Sequence, residues 1–262
     1  MTIHSTVLIT GAGSGIAATY ADRFACRGHD LVLVDINEEH LKTHSDRLRQ
    51  EHGISVDTIR ADLTQPSDLT VVEARLREDD TIGTLINCAG ILQKGSFIEQ
   101  TADSITRLVS LNGLAYIRLA NAIAPRLVQA GAGGIINICS VVGLAPEVNQ
   151  TVYGATKAFV LFFSEGLNLE LSPSGVRVQA VLPAETHTAM YDDAGIDPAL
   201  LHHAMDVGEL VDAALVGFDR GEHVTIPPLH DAARWDAFDV ARQGLLADLR
   251  TEHAAERYRT SS

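Results

Sequence analysis

The chain has 262 residues, 46% of them apolar and 21% charged, which is ordinary globular usage and excludes a disordered or low-complexity chain. Acidic residues outnumber basic ones 34 to 20, giving a formal charge of −14, so nucleic-acid phosphates and anionic lipid surfaces are repelled and set aside as partners. The opening MTIHSTVLITGAGSGIAATY has no basic segment and its apolar run is broken by glycines, so the expectation is a cytoplasmic protein with neither signal peptide nor membrane span.

Short apolar runs then alternate with longer helical patterns. Strands are expected at 7–10, 31–35, 56–60, 84–88, 134–139 and 177–182, with helices near 15–27, 37–52, 67–78, 102–130 and 151–171. Repeated strand–helix units of this kind imply right-handed crossovers and an α/β fold: a doubly wound parallel sheet with helices on both faces. Its ligand crevice lies at the carboxyl ends of the strands. No repeat or linker divides the chain, so residues 1–262 read as a single domain. Residues 183–206 are irregular and read as a substrate lid; a helix near 207–219, a strand at 223–226 and a polar helical tail over 230–262 follow. Cys26, Cys88 and Cys139 share no metal-type spacing and read as buried small hydrophobes.

Three places carry chemistry. The first strand runs into Gly11-Ala-Gly13-Ser14-Gly15-Ile16 and a helix, where glycines let the backbone approach a pyrophosphate held by helix N-terminal amides; a tight turn without ligand fits the same residues. Asp35 ends the second strand, twenty positions beyond Gly15. Its carboxylate can accept from an adenosine ribose and would repel a 2′-phosphate, so NAD is expected and NADP is the less favoured cofactor, with no basic residue in the loop or directly after Asp35 to reverse this. A helix-capping carboxylate is the other reading of Asp35. Tyr153 and Lys157 share a helix face at i and i+4, and the ammonium is expected to lower the tyrosine pKa toward acid–base use. An ordinary surface pair has the same spacing; Ser140, at a strand end facing the crevice, favours the chemical reading.

Together Thr10-Gly11-x-x-x-Gly15-Ile16-Ala17, Asp35, Asp62-Leu63, Asn87-Cys88-Ala89-Gly90, Asn112, Ser140, Tyr153-x-x-x-Lys157 and Pro183 resemble, in order and approximate spacing, the short-chain dehydrogenase/reductase family over roughly residues 5–190. The resemblance implies a Rossmann-type fold, a nicotinamide cofactor and oxidoreduction of an alcohol or carbonyl. It makes Tyr153 the acid–base residue, Ser140 the donor that polarises the substrate oxygen, Lys157 the partner of Tyr153 and of the nicotinamide ribose, and Asn112 the residue whose backbone positions a relay water. Gly11, Gly13, Ser14, Gly15 and Ile16 would surround the pyrophosphate, Asp35 the ribose, Asp62 and Leu63 the adenine. Asn87, Ala89 and Gly90 would support the cofactor ribose, and Pro183, Thr186 and Thr188 the nicotinamide end. Ala17, Cys88 and Ala184 depart from the family pattern; Ala184 replaces a turn glycine just before Thr186 and Thr188.

His40 and His44 stand at a zinc-compatible spacing but without a third ligand, so a solvated helix face is expected and no metal. His187, His202 and His203 fall near the cofactor turn or in the lid. Phe159, Phe162, Phe163, Leu167 and Leu171 give one helix more apolar surface than a single core contact needs, which points to a homodimer or homotetramer. Met190, Tyr191, Leu200, Leu201 and Met205 make the lid apolar and suit a substrate with a hydrophobic part. The sequence reading is therefore an NAD-dependent oxidoreductase interconverting a secondary alcohol and a ketone. Its alternatives are an NADP-linked carbonyl reductase and a non-catalytic cofactor sensor or scaffold.

Overall fold

Seven strands form one parallel sheet in the order β3-β2-β1-β4-β5-β6-β7. They are β1 (Thr6–Thr10), β2 (Leu31–Asp35), β3 (Val56–Arg60), β4 (Ile82–Asn87), β5 (Gly134–Ile138), β6 (Arg177–Val181) and the two-residue β7 (Val224–Thr225). The computed structural model describes residues 5–93, 95–186, 188, 190 and 203–259. The strand order reverses between β1 and β4, so the crevice opens where the loops after these two strands part.

Every residue of β1 and β5 is buried because helices cover both sheet faces. On one face Val7, Ile9, Leu31 and Leu33 meet Tyr20 and Phe24 of α1 (Gly15–Cys26), Leu41 and Leu48 of α2 (Glu38–His52), and Leu210 and Val211 of a later helix, Val207–Arg220. On the other, Leu8, Val32, Val34 and Leu85 meet Leu69, Val72 and Leu76 of α3 (Pro66–Glu78) and residues Leu119, Ile123 and Leu127. Alternate residues of one strand thus serve opposite cores, as the period of two requires.

The helix expected over 102–130 is interrupted. It consists of α4 (Ala102–Val109), a π-helical turn at Ser110–Leu114 and α5 (Ala115–Ala130). The wide turn coincides with Asn112-Gly113, two poor helix formers, and such turns cluster at functional sites. α6 (Thr151–Leu171) directs Phe163, Leu167 and Leu171 to the core and leaves Phe159, Phe162 and Leu169 exposed. Cys26 is exposed at the end of α1 and Cys88 is only half-buried, both contrary to expectation, whereas Cys139 is buried. Burial pushes the Cys88 and Cys139 thiols up to about 12, so both are inert at neutral pH.

Contacts group the chain into two units. Met1–Pro228 holds the sheet and, in chain order, α1 to α7, the last being Val207–Arg220. Leu229–Ser262 holds α8 (Ala233–Asp248), which buries none of its residues. Among the described residues no helix is long and apolar enough to cross a membrane. Of the lid candidates, His187, Tyr191, Leu200, Leu201 and His202 lie outside the described residues; Met205 bridges to Thr186 and donates its N–H to Glu185 at 2.9 Å.

Candidate active site

The loop after β1 makes its turn with Gly11 and Gly15 at φ +74° and +57°, a left-handed region costly for other residues. A side chain on Gly11 would come within 2.9 Å of the Ala89 backbone, so this loop and the one after β4 touch. Thr10 binds them from below: its hydroxyl accepts from the N–H groups of Cys88 and Ala89 at 3.0 and 3.1 Å. Gly11→Ala is therefore expected to destabilise the fold by about 1–3 kcal/mol, from positive φ and backbone crowding together. A thermal melt checks this, and an unchanged midpoint contradicts it. Ser14 precedes α1 without a side-chain cap, and α1 has no acid in its first turn. Its N-terminal amides thus have no side-chain cap, an arrangement that favours an anion there. Thr188 lies against Gly15.

Asp35 does not sit as an open ribose acceptor. Its Oδ2 accepts from Gly13 N–H and its Oδ1 from Asn37 N–H, both at 2.9 Å, while Asn37 itself caps α2. Asp62 is likewise engaged, its Oδ1 accepting from the N–H and hydroxyl of Thr64, with Leu63 buried beside it. Asn87 is fully buried and points along the sheet: its amide donates to Asn137 Oδ1 at 2.9 Å and to the Tyr116 carbonyl at 3.3 Å. Asn137, its in-register neighbour on β5, donates in turn to Ser164 of α6. This chain ties β4, β5 and α6 together at the base of the crevice.

Asn112 grips one residue with both side-chain atoms, accepting from Ile91 N–H and donating to Ile91 C=O, each at 2.9 Å. The amide thereby fixes the segment after β4, with Gly90 against it: a side chain there would lie 3.2 Å from Asn112 Oδ1 and 3.8 Å from Lys157 Nζ. The structure assigns the Asn112 side chain to this grip.

Ser140, Tyr153 and Lys157 converge beyond the end of β5. Lys157 is 3% exposed, donates from Nζ to the Ile138 carbonyl at 2.9 Å, and stands 5.6 and 5.7 Å from the ring centres of Tyr153 and Tyr116. The Ser140 hydroxyl neighbours the Tyr153 phenol, takes the Val142 N–H at 3.2 Å and donates to the Pro183 carbonyl at 3.4 Å. The expected lowering of the tyrosine pKa by Lys157 is not what this protein alone produces. Burial pushes the phenol up to about 12 against the opposing influence of the neighbouring Ser140 hydroxyl, and burial also lowers the Lys157 ammonium. Thr186 is buried with its hydroxyl on the Ala184 carbonyl.

A family model described as short chain dehydrogenase matches residues 5–198. The chain belongs to the short-chain dehydrogenase/reductase family. It is an NAD(P)-dependent oxidoreductase acting on alcohol and ketone groups. A short-chain dehydrogenase from Sphingobium yanoikuyae, solved in complex with NADPH, is 64% identical over 97% of this chain and 100% of its own, with a TM-score of 0.96. The bulky-bulky ketone specific alcohol dehydrogenase of Comamonas testosteroni is 57% identical over 99% and 100% of the two chains, with a TM-score of 0.93. A 2,5-dichloro-2,5-cyclohexadiene-1,4-diol dehydrogenase from Sphingobium indicum is 35% identical over 195 residues, 74% of this chain and 77% of its own.

The NADPH complex of so similar a protein overturns the expectation that NADP is the less favoured cofactor. Two structural features hidden from local sequence surround Asp35. The Asp35 carboxylate is committed to two backbone amides of its own chain. Arg60 of β3 is in register with Asp35, and among the described residues it makes a loose ion contact to Asp68 at 3.6 Å. The glycine cradle, the uncapped α1 and the crevice floor at Gly90 suit a dinucleotide.

The reading of His40 and His44 as a solvated face holds for His40 alone. His44 is buried and bonded to the glycine loop.

Proposed function

We propose that this dehydrogenase interconverts a ketone and its secondary alcohol with NADP(H), Tyr153 moving the proton, and that its substrate carries bulky groups on both sides of the carbonyl. The observation that carries this reading is the convergence of the Ser140 hydroxyl, the Tyr153 phenol and the Lys157 ammonium beside the crevice. The cofactor rests on the similarity to the NADPH-bound Sphingobium yanoikuyae enzyme, and the substrate class on that to the Comamonas testosteroni enzyme. When bound, the nicotinamide supplies the hydride donor or acceptor.

The chain's own residues then divide the work. Ser140 orients the substrate oxygen and stabilises charge developing on it. Tyr153, protonated throughout the neutral range, delivers its phenolic proton to that oxygen during reduction and takes one back during oxidation. Lys157 stabilises the phenolate as it forms, and Asn112 keeps the β4 segment shut against it. The exposed Phe159, Phe162 and Leu169 of α6 are read as the contact surface of a homodimer or homotetramer.

Arg60 is read as a cation for the 2′-phosphate. Arg60→Ala is expected to raise the Kd of NADPH several-fold, about 1 kcal/mol for a half-exposed charge, while that of NADH hardly moves. Fluorescence titration with each cofactor checks this; an unchanged ratio removes Arg60 from the site. The function itself is tested by following NADPH oxidation with aryl ketones of increasing size on both sides. Turnover of the larger members is expected, and no turnover with any of them would overturn the reading.

A further inference from the structure

The peptide plane joining Ala12 to Gly13 is held at both ends by side chains. Its N–H, on Gly13, donates to Asp35 Oδ2 at 2.9 Å. Its C=O, on Ala12, meets Nδ1 of His44 at 3.1 Å. A carbonyl can only accept, so Nδ1 carries the proton. The other ring nitrogen lies 3.5 Å from Asp22 Oδ1, and Asp22 also receives Arg47. His44 is 8% exposed and comes from the second turn of α2, thirty-two positions along the chain. The amide before this plane is tied as well, Ala12 N–H donating to the Val34 carbonyl at 3.1 Å.

This plane lies between the Cα atoms of Ala12 and Gly13, and on the Gly13 side no side chain resists rotation of the peptide. A flipped plane would exchange the directions of the N–H and the C=O and alter the set of dipoles facing an anion in the loop. We propose that His44 is a positioning residue for the cofactor: with Asp35 it locks the Ala12–Gly13 peptide in the one orientation that receives the dinucleotide's pyrophosphate. This rests on the reading of the loop as the pyrophosphate site. It also gives Asp35 a task that does not depend on which ribose substituent the cofactor carries.

The test compares His44→Leu, which removes the donor, with His44→Asn, whose side-chain amide retains one. Each is titrated with NADPH and with adenosine 2′-monophosphate, which has no pyrophosphate. His44→Leu is expected to weaken NADPH about tenfold, the effect of one lost buried hydrogen bond, and to leave the monophosphate and kcat at saturating cofactor unchanged; His44→Asn restores most of the affinity. Equal weakening of both ligands makes His44 a packing residue and overturns the proposal, as does unchanged NADPH binding. Wild-type protein that binds no NADPH overturns the cofactor reading itself, a different result from wild-type binding that His44→Leu does not alter. A measurement on the unmodified protein stands beside these: the Gly13 amide is expected to exchange slowly with solvent without cofactor, and fast exchange contradicts the lock.

Discussion

Tyr153→Phe is expected to lower kcat by about three orders of magnitude, within the usual contribution of a positioned general acid, and to leave the NADPH Kd within about twofold of wild type. The substitution removes one oxygen. The ring keeps its distance from Lys157, and Ser140 keeps the Pro183 carbonyl as partner. Steady-state turnover and a fluorescence titration on the same preparation separate the two effects. Turnover near the wild-type level would take the proton step away from Tyr153. The phenol's pKa of about 12 adds a directional expectation. At neutral pH it is a proton donor, the form that ketone reduction uses. Alcohol oxidation needs the phenolate and is expected to quicken as pH rises toward that value, whereas reduction slows only when the phenol itself titrates.

Lys157→Met is expected to lower kcat/KM by roughly two to four orders of magnitude without lowering thermal stability. A buried ammonium with a single backbone acceptor is costly to desolvate, and methionine fills similar space without charge. The Ile138 carbonyl that Lys157 leaves is still met by the Tyr116 hydroxyl at 3.4 Å. Activity loss with an unchanged or raised melting midpoint supports a functional lysine. A midpoint several degrees lower, with activity falling only in proportion to unfolded protein, makes it structural.

The sheet could be read from the chain because most of its strands are short apolar runs that alternate with longer helical stretches, so β1 through β6 lie within a residue or two of expectation. Ser140, Tyr153 and Lys157 were legible because each sits at a strand end or on one helix face. The π-helical turn was half legible: Asn112-Gly113 marks a weak point in a helix, but periodicity does not reveal that the turn widens there. What escaped was the set of partners brought together by crossovers. Arg60 reaches the neighbourhood of Asp35 only through β2–β3 pairing, and His44 reaches Ala12 only because α2 packs beside the glycine loop. Asn137 joins Asn87 across two strands. A carboxylate at the end of β2 looks free in sequence because the amides that occupy it lie upstream and downstream in a loop. The cofactor preference drawn from it is overturned by the NADPH complex of the 64% identical Sphingobium yanoikuyae protein.

The measurement that tests the account most directly is NADPH oxidation by wild type and Tyr153→Phe side by side, with one ketone bulky on both sides as substrate. Steady oxidation by the wild type and almost none by the variant, with both binding NADPH equally, is the predicted result. Equal rates in the two proteins, or no oxidation by the wild type despite tight NADPH binding, would contradict it.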